Sequence, residues 1–216
     1  MKNILLTGFE PFAGHKLNAS WEVVRGLGGQ SLDEEHLIVS ELLPCTFDGS
    51  LQRLGQLIAL HQPVLTIAVG QAGGRAAFSL ERVAINLQDA ATPDNAGHKP
   101  IDRAVIASGP AAYFSTLPIK SIVAGLRDQG IPAEVSQSAG TYVCNSAFYG
   151  LMHAASSSRV PFSAGFVHIP YLPDQAANKA GAASMSEALI AQGLRLALTI
   201  ALSVKQDLAM SAGKTH

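Results

Sequence analysis

Cys144 is the residue of this chain whose type and setting best suit chemistry. It lies in the stretch SAGTYVCN (Ser138–Asn145), after a turn at Gly140, and the apolar residues that follow recur at helical spacing. This spacing places Cys144 near the start of a helix, where free N–H groups and the helix dipole favour a thiolate, the reactive form. Cys144 is therefore a candidate nucleophile. The alternative is an inert buried cysteine, because cysteine is among the most buried residue types.

A nucleophilic cysteine needs a histidine base, and His168 is the best placed histidine. It stands at the carboxyl end of the apolar stretch Gly165–Ile169, and sites in open parallel sheets form outside the carboxyl ends of strands. His153 is a poor partner, since its separation from Cys144 puts it on the opposite side of the predicted helix. The alternative for His168 is a core histidine bonded to a backbone group.

The base needs an acid that orients it. Glu81 begins the alternating stretch ERVAIN (Glu81–Asn86) and is a candidate for this role. The commoner fate of such an acid is a solvated strand end. Spacing alone also leaves Glu10, Asp94 and Asp174 open as alternatives.

Other motifs give weaker signals. Cys45 ends an apolar stretch with no helix start immediately after it, which indicates a structural cysteine. The glycine-rich stretches Gly8–Gly14 and Gly70–Arg75 each follow a predicted strand, but neither contains GxGxxG or GK[ST]. A nucleoside- or phosphate-binding protein is therefore only a distant alternative. Neither HExxH nor paired CxxC is present, so no metal and no other cofactor is predicted.

The elements that must position these residues alternate between short apolar runs and amphipathic stretches. This alternation predicts an α/β fold, with helices on both faces of a largely parallel, twisted sheet in three layers. The predicted strands are Ile4–Thr7, Leu37–Leu43, Val64–Val69, Ala133–Ser136 and Gly165–Ile169. The predicted helices are Ser20–Leu27 with Ser20 as its cap, Asp48–Leu60, Pro118–Gln129 with Gly130 beyond its end, and Ala183–Asp207.

Two further segments have unusual composition. Leu194–Val204 is apolar nearly all round, which is typical of a helix in a core or in a subunit interface. The stretch Asp89–Phe114 lacks a clear period, and a loop of this length is usually functional or interfacial. No linker divides the chain, so residues 1–216 are predicted to form one domain that ends in a mobile tail at about 208–216.

Composition excludes several classes of protein. The 216 residues carry 15 basic and 16 acidic side chains, a net charge of −1 that gives no case for binding nucleic acid or an anionic membrane. With 48% hydrophobic and 14% charged residues the chain is too apolar for disorder, and its sparse charge favours a subunit interface. No membrane span or secretory signal is predicted. Two cysteines make no disulfide framework, which favours the cytoplasm.

Taken together and in order, five motifs resemble the pyroglutamyl peptidase I family, also called pyrrolidone carboxyl peptidases. The resemblance extends from Asn3 to about Ala201. The motifs are GFEPF (Gly8–Phe12), GQAGGR (Gly70–Arg75), ERVAIN (Glu81–Asn86), SAGTYVCN (Ser138–Asn145) and HIPYLP (His168–Pro173).

The resemblance implies a cytoplasmic cysteine exopeptidase that removes pyroglutamate from the amino terminus of peptides. It implies a single α/β/α domain, a homotetramer, and a thioester acyl-enzyme formed by a triad of Cys144, His168 and Glu81. The positions that match the family's substrate pocket are Phe9, Phe12, Asn18, Gln71, Tyr142 and Val143.

Two positions depart from the family pattern. Ala91 stands where an arginine is common, and Ala19 stands where proline is usual. The loss of the arginine leaves open a catalytically weak relative that binds a peptide or a small lactam without cleaving it. Neither departure touches the triad.

Overall fold

The computed structural model of the protein describes residues 1–213. Helices and strands alternate along most of this length. In chain order the elements are β1 (Lys2–Phe9), α1 (Ala19–Leu27), β2 (His36–Leu43), α2 (Phe47–His61), β3 (Leu65–Gln71), β4 (Phe78–Glu81), β5 (Val83–Ile85), β6 (Ala112–Phe114), α3 (Ile119–Asp128), β7 (Ala133–Ser136), α4 (Val143–Ser157), β8 (Ser163–Ile169), α5 (Pro173–Ala176) and α6 (Glu187–Ser203).

Six of these strands form one sheet in the order β2-β1-β3-β8-β4-β7. Every neighbouring pair is parallel except β4 and β8, which are antiparallel and place Ser79 opposite His168. Strands β5 and β6 form a separate antiparallel pair. The predicted α/β class with a largely parallel sheet is therefore confirmed.

Helices cover both faces of the sheet, as the three-layer prediction requires. Helices α1, α3 and α6 enclose one apolar core, and α2 and α4 enclose the other. The apolar stretch of α6 buries Leu194, Ala197 and Leu198 in the first core, whereas Thr199 is exposed. This helix is thus a core helix along one face, which agrees with the first of its two predicted roles.

The predicted cap of α1 is wrong. Asn18, rather than Ser20, is the N-cap, and its side-chain oxygen accepts the N–H of Ser20 at 3.0 Å. The Ser20 hydroxyl is buried inside the helix and accepts the N–H of Phe9 at 3.0 Å. Asn and Ser are both good caps by type, so composition did not separate them. The contact with β1 decides, because it uses the serine to join the helix to the strand.

The ends of the other helices follow local hydrogen bonds. Gly130 has a φ of +72°, and the N–H of Ile131 bonds the carbonyl of Leu126, which closes α3 as a Schellman motif. The predicted helix Ala183–Asp207 is too long at both ends. Ser186 caps α6 at its start, and the helix ends at Ser203. Asp207 instead accepts the N–H groups of Lys120 and Ser121, as a cap supplied to α3 by another part of the chain.

Strands β4 and β5 were absent from the predicted set because each is short. The predicted loop Asp89–Phe114 is largely irregular, with β6 at its end. Within residues 1–213, no helix is long and apolar enough to cross a membrane. In the predicted tail, the Ala212 carbonyl accepts a hydrogen bond from Arg82 at 2.8 Å. Residues 214–216 of that tail lie outside the described residues, and the single domain and mobile tail stay predictions.

Candidate active site

Cys144 occupies the first turn of α4, where the sequence placed it. The helix begins at Val143, with Tyr142 as its N-cap. Asn145 fixes this turn, because its buried amide accepts the N–H of Ile85 at 3.0 Å and donates to the carbonyls of Ile85 and Leu87. The N–H groups of a first helical turn have no partner inside the helix. They are therefore available to a negatively charged oxygen near the thiol.

The thiol approaches the sheet at Gly70. A Cβ atom on Gly70 would lie 3.0 Å from Cys144 Sγ and 2.8 Å from a ring carbon of Phe166, so only glycine leaves room for both. In the parallel pairing of β3 and β8, Gly70 lies opposite His168. The Phe166 ring packs against the His168 imidazole with centroids 4.8 Å apart. Cys144 and His168 therefore share one neighbourhood at the carboxyl ends of β3 and β8.

Glu81 completes this arrangement from β4. Its Oε1 lies 2.7 Å from His168 Nδ1, in a contact between a fully buried carboxyl and a nearly buried ring. The alternative of a solvated strand end is thus wrong for Glu81. Of the rival acids, Glu10 accepts the N–H of Cys45 and Asp94 accepts the N–H of Phe47, so both have structural partners away from His168.

Burial governs the ionisation of the site. Desolvation raises the pKa of the Cys144 thiol, the nearby Cys45 and Glu81 add to the rise, and Arg75 opposes it. Desolvation also lowers the pKa of His168, against the opposing effect of Glu81. Burial thus opposes the thiolate that the helix start favours, and both shifts favour the neutral thiol and the neutral imidazole.

Cys45 is buried, as expected of a structural cysteine, although a helix does begin two residues after it. It lies just before α2, and burial raises the pKa of its thiol to about 12. Its side chain belongs to the core under α2 and α4. Its burial supports a structural role.

The predicted aromatic pocket residues separate into two groups. Phe12 and Tyr142 are half-buried neighbours, with ring centroids 6.3 Å apart, and the Tyr142 hydroxyl donates to the Pro93 carbonyl at 2.9 Å. Phe9 is 2% exposed and packs inward on Phe166. Phe12 and Tyr142 thus have surface to offer a ligand, whereas Phe9 supports the floor beneath.

The other predicted pocket residues differ in their free polar groups. The side-chain oxygen of Gln71 accepts the N–H of Ala19 at 2.8 Å and the amide of Gln175 at 2.7 Å. Asn18 uses both ends of its amide, because it caps α1 and donates to the Glu10 carbonyl at 3.1 Å. Val143 is fully buried and contributes its place in the first turn of α4.

Three residues near the site had no role assigned from the sequence: Arg75, Asn145 and Gln175. Each lies within or beside a motif, but its role depends on contacts between segments that no helix or strand period relates. Arg75, for example, donates to Glu81 Oε1 at 2.7 Å and to the Ser138 carbonyl at 3.1 Å. Ala91 is exposed, in the loop segment where Asp89 bonds Thr141. This segment flanks the start of α4, so part of the predicted functional loop lies at the site.

In the part of the chain that the structure describes, no group of three or more histidine, cysteine, aspartate or glutamate side chains could hold a metal ion. The reactive groups brought together here are the thiol of Cys144, the imidazole of His168 and the carboxylate of Glu81. A thiol at a helix start, beside a histidine–carboxylate pair on an open α/β sheet, defines a cysteine-type hydrolase.

Comparison with known proteins specifies the family. The family model described as pyroglutamyl peptidase matches residues 2–204, so the chain belongs to that family. The pyrrolidone-carboxylate peptidases of Cupriavidus necator and Yersinia pestis are 51% and 50% identical to it, over the full length of both chains in each case.

Solved structures agree with this assignment. The crystal structure of pyroglutamyl peptidase I from Bacillus amyloliquefaciens matches with a TM-score of 0.92 and 45% identity, over 96% of this chain and 100% of that one. A variant of pyrrolidone carboxyl peptidase from Pyrococcus furiosus matches with a TM-score of 0.89 and 38% identity, over 93% and 98% of the two chains.

Proposed function

We propose that this protein hydrolyses the amide bond after an N-terminal pyroglutamyl residue of peptides. Cys144 is the nucleophile, His168 the base and then the acid, and Glu81 the acid that orients His168. The observation that carries this proposal is the buried His168–Glu81 pair beside a thiol in the first turn of α4. Membership of the pyroglutamyl peptidase family supports the choice of substrate.

The reaction follows from the positions of the protons. The Nδ1–H of His168 donates to Glu81, which leaves Nε2 free to take the thiol proton. The sulfur then bonds to the carbonyl carbon, and the first-turn N–H groups of α4 stabilise the oxyanion. The C–N bond breaks as His168 returns the proton to the leaving amine. Water, deprotonated by His168, then hydrolyses the thioester and releases pyroglutamate.

The pocket must recognise an uncharged lactam ring. The lactam carries no ammonium group, so the pocket needs no carboxylate to balance one. The half-buried rings of Phe12 and Tyr142 provide an apolar wall for it. Gln71 supplies the polar contact. Since its side-chain oxygen already accepts two hydrogen bonds, its NH₂ group is the end left to donate to the lactam carbonyl.

Gln175 fixes this orientation of Gln71. Its own amide is held at both ends, because it accepts the N–H of Leu172 at 3.0 Å and donates to Gln71 at 2.7 Å. Replacing Gln175 by alanine lets the Gln71 amide rotate, so we expect KM for a pyroglutamyl amide to rise about tenfold, the effect of one hydrogen bond. We expect kcat to change little, because the lactam contact is the same in the ground and transition states.

Steady-state kinetics on Gln175→Ala and on the control Gln56→Ala measure this effect. Gln56 is an exposed residue of α2, and its truncation should leave both constants at the wild-type value. A fall in kcat with an unchanged KM in Gln175→Ala would contradict the assigned role.

The proposed activity itself is tested with a fluorogenic pyroglutamyl amide in the presence of reductant. A prolyl amide is the matched control, since its ring has the same size but carries an ammonium and no lactam carbonyl. We expect release of the fluorophore from the first substrate only. Binding of the pyroglutamyl compound without release, by folded protein, would instead support the weak relative that binds and does not cleave.

Assembly and compartment are further proposals. Large apolar side chains are exposed at Leu60, Ile101, Phe114 and Val160, which supports burial in a homo-oligomer, a tetramer by resemblance to the family. The two cysteines of the described chain are both free, which supports a cytoplasmic location. The near-zero net charge supports peptides, rather than nucleic acid or membranes, as partners.

A further inference from the structure

Arg75 joins the acid of the site to the loop that carries the nucleophile. Its Nη1 donates to Glu81 Oε1 at 2.7 Å and to the Ser136 hydroxyl at 3.3 Å. Its Nη2 donates to the Ser138 carbonyl at 3.1 Å, six residues before Cys144. One planar side chain therefore bridges the end of β4 and the segment between β7 and α4.

The positive charge of Arg75 also stabilises the ionised form of Glu81. The Glu81 side chain is fully buried, and its Oε2 has no hydrogen-bond partner within residues 1–213. Its Oε1 faces His168, whose neutral form is favoured by burial, and Arg75, whose side chain is 28% exposed. Within residues 1–213, the basic side chains that contact Glu81 are His168 and Arg75, and Arg75 is the one that is always charged. Its charge balances the buried carboxylate, which would otherwise take up a proton.

The protonation of Glu81 decides which nitrogen of His168 holds the proton. An ionised Glu81 accepts from Nδ1–H, and Nε2 is then the base that the thiol needs. A protonated Glu81 would donate its O–H to Nδ1, and the imidazole proton would move to Nε2. In that tautomer His168 has no lone pair for the thiol proton, although every residue of the triad remains in place.

We propose that Arg75 is a positioning residue that keeps Glu81 ionised, and so holds His168 in the tautomer that accepts the proton of Cys144. The inference extends the proposed function, since it adds a residue outside the triad on which the triad depends. The hydrogen bond from Arg75 to the Ser138 carbonyl also fixes the position of this charge relative to the segment before α4.

Charge and geometry are separated by two variants. Arg75→Gln keeps a hydrogen-bond donor and removes the charge, whereas Arg75→Lys keeps the charge and loses the two-armed bridge. Arg82→Gln is the matched control, because Arg82 is the next arginine along the chain and donates to the Ala212 carbonyl instead. We expect kcat/KM for a pyroglutamyl amide to fall about 100-fold in Arg75→Gln, to recover substantially in Arg75→Lys, and to stay unchanged in Arg82→Gln.

The pH profile gives a readout that a purely structural role would not move. The groups facing His168 are Glu81 from β4, Cys144 from α4 and Arg75 from the loop after β3. In Arg75→Gln the tautomer that accepts the thiol proton returns only at a pH where Glu81 ionises. We therefore expect the acid limb of kcat/KM to move to higher pH in Arg75→Gln and to remain near the wild-type position in Arg75→Lys.

Two measurements decide the inference without any turnover. Nitrogen-15 NMR of labelled histidine reports whether Nδ1 or Nε2 of His168 carries the proton, and we expect Nδ1 in the wild type and Nε2 in Arg75→Gln. Iodoacetamide labelling of Cys144, followed by peptide mass spectrometry across pH, should begin at higher pH in that variant. A wild type that fails to cleave the pyroglutamyl amide would defeat the proposed function and leave these two measurements to judge Arg75.

Three results would overturn the role of Arg75. The first is Nδ1 protonation of His168 in folded Arg75→Gln. The second is an acid limb at the wild-type pH in that variant. The third is an equal loss of activity in Arg75→Lys and Arg75→Gln, which would make the bridge to Ser138, rather than the charge, the whole contribution.

Discussion

We expect Cys144→Ser to lower kcat/KM for a fluorogenic pyroglutamyl amide by at least about 10⁴-fold while the protein stays folded. The physical reason is acidity, because His168 removes a proton from a thiol far more readily than from a serine hydroxyl. Serine is close to cysteine in size, and the Cys144 side chain keeps some contact with solvent, so the fold should tolerate the change. Steady-state kinetics and thermal unfolding on the same preparation measure both parts of this expectation.

Cys45→Ala is the control for this experiment. Cys45 is buried in the core under α2 and α4 and takes no part in the proposed reaction, so we expect its removal to lower stability and to leave turnover near the wild-type rate. Substantial hydrolysis by Cys144→Ser would exclude Cys144 as the nucleophile, and loss of hydrolysis in folded Cys45→Ala would contradict a purely structural role for Cys45.

The second large effect concerns the acid. Glu81→Gln should reduce kcat by about 10³–10⁴-fold, the size of the loss seen when the acid of another triad becomes an amide. The neutral glutamine amide no longer stabilises the imidazolium that forms when His168 takes the thiol proton. The variant also leaves Arg75 without its carboxylate partner. Initial rates, with circular dichroism to check folding, measure the expected loss.

Glu41 offers a matched control within the same chain. Its carboxylate bonds His61 at 2.9 Å and Arg53 at 2.9 Å, a second histidine–glutamate–arginine cluster on the edge strand β2. We expect Glu41→Gln to leave turnover near the wild-type rate, because no reactive thiol depends on that cluster. If both glutamate variants lost activity equally, the loss in Glu81→Gln would reflect general destabilisation.

Local pattern predicted much of the frame that holds this site. Cys144 was placed near a helix start by the spacing of the apolar residues after it, and α4 begins at Val143. His168 was placed at a strand end, where β8 carries it. These predictions succeed because helix and strand periods are properties of neighbouring residues, which the sequence displays directly.

The partners of these residues were less predictable. Glu81 stands 87 residues before His168, and only the antiparallel pairing of β4 with β8 brings them together. The amides of Gln71 and Gln175 meet across a similarly long separation. Pairings of this kind depend on strand order and register, so spacing alone leaves the acid open, and it is the family resemblance that points to Glu81.

Burial was the other quantity hidden from the sequence. The helix start suggested a thiolate at Cys144, yet the protein packed around the thiol favours its neutral form. Ser20 was predicted as the cap of α1, but its hydroxyl is enclosed and bonds Phe9. In both cases atoms from another part of the fold act against what the local motif favours.

The antiparallel contact between β4 and β8 has a consequence for how the protein becomes active. His168 receives its neighbours from β3 on one side and β4 on the other, all far earlier in the chain. Chains dominated by such distant pairings fold slowly, because loop closure precedes the contacts that reward it. The reactive centre exists only once the last central strand has docked. Recovery of catalysis during refolding therefore marks the end of the folding reaction, after most secondary structure has formed.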